Sequence, residues 1–65
     1  RNDSFQIAEL LSELAYVYIV EDQGNVMAAK RYLSYAIAIA DLYEEREMMT
    51  FLVNYYKEQF GGAAY

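Results

Sequence analysis

The 65-residue chain contains no proline and only three glycines, Gly24, Gly61 and Gly62. These two residue types are the strongest breakers of regular structure, so the only firm breaks fall after about residue 23 and at about residue 60. Before the first break, Ile7, Leu10, Leu11, Leu14, Val17 and Tyr18 recur at three- and four-residue steps. That spacing predicts a helix over 5–22 with these residues as its core face. Ser4 is the expected N-cap, with Asp3 beside it to favour the positive end of the helix dipole. The run Tyr16-Val17-Tyr18-Ile19-Val20 is rich in strand formers, but the helical periodicity begins well upstream and no second strand is available to pair with it.

Beyond Gly24, Asn25 caps a second expected helix over 26–43, whose apolar positions are Val26, Ala29, Leu33, Ala36, Ile37 and Ala40. Its alanines would let a neighbouring helix approach closely. The charged stretch 41–47 contains no residue that forces a turn, which leaves two architectures open. Either a third helix runs over 46–60, or a single helix of about 36 residues, ~54 Å long, continues to Phe60. A break is favoured, because a lone helix of that length would leave its apolar surface with nothing to pack on. Gly61 is placed for a left-handed C-cap, and 61–65 reads as a tail. The expected fold is all-α and a single domain over 1–65, a small antiparallel helical hairpin plus a third helix.

Hydrophobic residues make up 57% of the sequence, above an ordinary soluble domain and incompatible with a disordered chain. There is no Cys and no His, which removes disulfides, thiolate metal sites, the commonest general base and the commonest metal ligand. The net charge of −5 is the wrong sign for nucleic acid and for anionic membrane surfaces. The longest apolar run, Leu14 to Val20, is far short of the ~18 residues of a spanning helix. Beginning at Arg1 without a leader-like segment, the chain is expected to carry no signal peptide and to be a soluble, cytoplasmic protein.

Asp41, Glu44, Glu45 and Glu47 could share a hard cation, but charges at a helix junction read more simply as a solvated face balanced by Arg46 and Lys57. The segment 21–25 is not a calcium loop. With Gly24 at the loop glycine, Ile19, Glu21 and Gln23 fall at the ligand positions and Lys30 replaces the closing glutamate. No catalytic residue, metal or cofactor is expected.

Leu11, Leu14, Ala15 and Tyr18 on the first helix, the turn at Gly24-Asn25, and Ala29, Leu33 and Ala36 on the second make residues 11–40 resemble a tetratricopeptide (TPR) repeat. The resemblance implies that residues 45–60 are the first helix of a next repeat or a capping helix, and that a peptide binds along the face lined by first helices. That face would present Glu9, Glu13 and Tyr16, and it lacks the family's basic and Asn clamp for a C-terminal carboxylate, so a basic or apolar ligand is implied.

Eight tyrosines in so short a chain suit a binding surface, because Tyr offers a large contact area at low entropic cost and tolerates a wet edge. Tyr16, Tyr35, Tyr43 and Tyr56 are candidates, with the core as the alternative for each. The third helix carries two apolar stripes, Met48, Phe51, Leu52 and Tyr55 on one and Met49, Val53, Tyr56 and Phe60 on the other. A three-helix unit has one interior, so Met49, Val53, Tyr56 and Phe60, with Tyr16 and Tyr35, are the expected interaction face. The function so indicated is a non-enzymatic, acidic protein–protein interaction module that takes a partner helix or peptide. A structural self-assembly subunit is the alternative, and a homo-oligomer or a place in a larger assembly is expected. A small inhibitor imitating nucleic acid would need denser negative charge than this chain has.

Overall fold

A computed structural model of the chain describes residues 3–22 and 24–61. The fold is all-α: α1 spans Asp3–Val20, α2 Val26–Leu42 and α3 Arg46–Phe60. Tyr16 to Val20 is helical throughout, as the upstream periodicity requires. The long-helix alternative is excluded by the turn at 43–45. Ser4 is not the N-cap expected of it; it lies inside α1 and is buried. Asn25 does cap α2, its side-chain oxygen accepting a hydrogen bond from the Ala28 amide at 3.4 Å. The part of the expected tail at 62–65 lies outside the described residues.

The two inter-helix turns use glycine in an unexpected way. Gly24 needs no left-handed backbone, and a Cβ there would meet nothing within 4 Å. The left-handed residue is Glu44, at φ 59°. Around it the Glu45 amide donates to the Ala40 carbonyl (2.8 Å) and the Glu44 amide to the Asp41 carbonyl (3.1 Å). This is the paired hydrogen-bond closure of a Schellman ending, with glutamate where glycine is usual. Gly61 ends α3 in the same backbone region, at φ 84°, as its position in the sequence predicts. Replacing Glu44 with glycine should therefore raise stability by about 0.5–1 kcal/mol, whereas Gly24→Ala should be neutral or mildly stabilising. Urea melts of the two variants check this; a destabilised Glu44→Gly would mean that the glutamate side chain holds the turn.

α2 lies between the other two helices, paired along its length with α1 and over a shorter span with α3. One core joins all three: Ala8 and Ala15 from α1, Leu33, Ala36 and Ile37 from α2, and Leu52 and Tyr56 from α3. The core face of α1 differs from the expected one. Ile7, Leu10, Leu14 and Val17 remain 44–60% exposed, while Ser4, Ala8 and Ala15 are buried and Leu11 and Tyr18 are half-buried. The cause is the close approach of α1 to α2. Alanines at 8, 15, 29, 36 and 40 are all buried, and a seam built from small side chains has no room for a row of leucines. Val26, assigned to the buried face of α2, is likewise exposed, while the other five residues of that face are buried.

Candidate interaction site

The stripe Met49, Val53, Tyr56 and Phe60 does not face outward. Tyr56 is 3% exposed, and Met49, Val53 and Phe60 pack against the common core. The Tyr56 and Phe60 rings meet edge to face at 4.9 Å, and the Lys30 ammonium from α2 sits 5.5 Å from the Phe60 centroid. Within one chain, packing of α3 on the hairpin buries Tyr56 and half-buries Met49, Val53 and Phe60. Tyr16 and Tyr35 are exposed as expected, but on different sides of the molecule: Tyr16 lines a cavity beside α3, and Tyr35 meets the Tyr32 ring edge on α2. Tyr43 is exposed at the end of the hairpin.

What the fold does assemble is a groove between α1 and α3. Ser12, Glu13 and Tyr16 form one wall and Phe51, Leu52 and Tyr55 the other, around a cavity of about 280 Å³. Leu52 is buried at the floor, and Phe51 stands 65% exposed at the mouth with its ring stacked parallel to Tyr55 at 6.2 Å. The Ser12 hydroxyl donates back to the Glu9 carbonyl at 2.7 Å, which turns its proton toward its own helix. Burial, then the neighbouring Tyr16 and Glu58, hold the Tyr55 phenol above its ordinary range. It therefore stays a neutral hydrogen-bond donor across the physiological range.

The groove is apolar and aromatic at its base and acidic at its edges, with Glu13 in the wall, exposed Glu9 one turn along α1, and Glu58 near Tyr55. Phe51, exposed at the mouth, is not among the residues expected at an interaction face: the sequence groups it with Met48, Leu52 and Tyr55, and helical spacing alone does not separate the rim of a stripe from its floor. The acidic cluster at the α2–α3 turn builds no comparable site. Asp41 and Glu44 share a small cavity with Arg46, and among the described residues no three carboxylates are grouped so as to hold a metal ion. Among the described residues, no helix is long and apolar enough to cross a membrane. Comparison with protein-family models, curated proteins and solved structures finds no match to the chain.

Proposed function

We propose that the chain is a non-enzymatic protein–protein interaction module of TPR-like build, holding a basic peptide or partner helix with an apolar anchor in the α1–α3 groove. The observation that carries this reading is the groove itself, an aromatic cleft whose charged neighbours Glu9, Glu13 and Glu58 are all acidic. An apolar side chain of the ligand would seat between Tyr16, Phe51 and Tyr55, while flanking Lys or Arg would meet the carboxylates. Anchor burial supplies affinity, and the charges supply steering and orientation. The groove offers two phenols, a serine hydroxyl and a carboxylate but no nucleophile paired with a base, so no catalytic step is proposed.

The probe is a short peptide of Leu and Lys patterned as an amphipathic helix, with the same peptide carrying Glu for Lys as its control. Chemical-shift mapping should move the amides of Ser12, Tyr16, Phe51 and Tyr55 with the basic peptide and leave them still with the acidic one. Phe51→Ala and Glu13→Lys should each weaken binding about tenfold, the equivalent of about 1.4 kcal/mol. Both side chains are exposed, so neither change should unfold the chain. Equal binding of the two peptides, or shifts confined to other faces, would overturn the groove as the ligand site. A second reading, a structural subunit that assembles with copies of itself, is favoured by a different observation, the exposed apolar row Ile7, Leu10, Leu14 and Val17 on α1.

A further inference from the structure

The groove with α3 lies on the Ser12 and Tyr16 side of α1. At about 100° per residue, Ile7, Leu10 and Leu14 project from roughly the opposite side, with Val17 next to them. This is the side of the hairpin that α3 leaves uncovered, and α2 completes it. Ile7 shares a cavity of about 400 Å³ with Asp3, Ser4, Ile39, Leu42 and Tyr43, and farther along Tyr18 of α1 stacks on Tyr32 at 5.7 Å, with Tyr35 against Tyr32. Between Asp3 and Glu21 the charged residues of α1 are Glu9, on the groove side, and Glu13, at the edge of the stripe beside Val17.

We infer that the chain forms a two-fold symmetric dimer through this α1–α2 face, with α1 packed antiparallel on α1 of a second copy. Three observations favour a second copy as the occupant. The stripe is spaced three, four and three residues apart, which reads the same in both directions. An antiparallel partner therefore sets Leu10 beside the partner's Leu14, and Ile7 beside the partner's Val17, which is the self-complementarity a two-fold contact requires. The face is also large enough. A hairpin about 27 Å long and about 20 Å across, with side-chain relief added, approaches the ~800 Å² per partner of an ordinary stable interface. Finally, two chains of net charge −5 repel, so their contact has to fall where charge is sparse; the row Ile7, Leu10, Leu14 and Val17 carries none, Asp3 lies at the end of the face and Arg31 at its edge beside Tyr35. The contact lies opposite the peptide groove and does not depend on it.

Sedimentation of the whole chain should show monomer passing to twice the 7.6 kDa chain mass at micromolar concentration. The association should tighten as salt is raised, because Asp3 approaches the partner's Glu21 at each end and both chains are acidic. Leu10→Glu and Leu14→Glu should yield helical monomers that still bind the basic peptide, whereas Phe51→Glu should leave the dimer intact. The chain has no cysteine, so geometry can be tested by cross-linking. Ile7→Cys and Val17→Cys chains should form a disulfide with each other when mixed and oxidised, and neither should do so alone, since equivalent positions lie ~15 Å apart along the helices. A monomer at millimolar concentration, a dimer that survives Leu14→Glu, cross-linking of Ile7→Cys to itself, or an open polymer would each overturn the inference.

Discussion

Replacing Leu33 with alanine should leave the chain largely unfolded at 25 °C. Leu33 is 0% exposed and sits mid-way along α2, where the alanine seam with α1 meets Leu52 and Tyr56 of α3. Removing its isobutyl group costs the transfer free energy of the lost atoms and adds a cavity that three rigid helices close only in part, together about 2–5 kcal/mol. A core built from so short a chain rarely supplies more than about 3–5 kcal/mol in all. The loss is thus comparable to the whole stability, and far-UV circular dichroism of Leu33→Ala should show no cooperative thermal transition. Met27→Ala on the same helix is the control: Met27 is 69% exposed, and its removal should change stability by no more than ~0.5 kcal/mol. If Leu33→Ala melts within a few degrees of the parent chain, the three helices do not share one core at this point.

The parts of this fold that were legible in the sequence are those governed by local chemistry. Asn25 after a glycine reads as a cap because its side chain can replace a missing backbone partner, and Gly61 reads as a helix end because it accepts a left-handed backbone without a Cβ clash. The turn at Glu44 is equally local, yet glutamate rarely adopts that conformation, so residue type gave no sign of it. The misreadings concern which apolar stripe faces inward. On α1, hydrophobicity ranks Ile7, Leu10, Leu14 and Val17 above Ala8 and Ala15, but a close helix crossing selects for size, and Ser4, Ala8, Leu11, Ala15 and Tyr18 recur at helical steps just as well. The same small-residue argument applied to α2 places Ala29, Ala36 and Ala40 correctly. On α3 both stripes satisfy the period, and the space that α1 and α2 leave decides between floor and rim, a fact of packing that no single helix carries.

The reversal on α1 moves the surplus apolar surface from the third helix to the first, and it makes the alanine seam the feature on which the architecture depends. Ala36→Leu should therefore destabilise the fold by ~1–3 kcal/mol, because added methylenes at a filled crossing force side chains off their rotamers or push α1 from α2. For a domain of this size that is a fall in melting temperature of about 4–8 °C per kcal/mol. Ala38→Leu, two residues along on the exposed side of α2, makes the same chemical change where there is open solvent and should leave the melt almost unchanged. The substitution should also reach the groove. Ala36 belongs to the core that includes Leu52, the groove floor, so a wedge between α1 and α2 alters the spacing of α1 and α3 and weakens peptide binding in chains that remain folded. Equal melting shifts for Ala36→Leu and Ala38→Leu would show that Ala36 is not at a close crossing, and the exposure of Ile7, Leu10, Leu14 and Val17 would then lose its explanation.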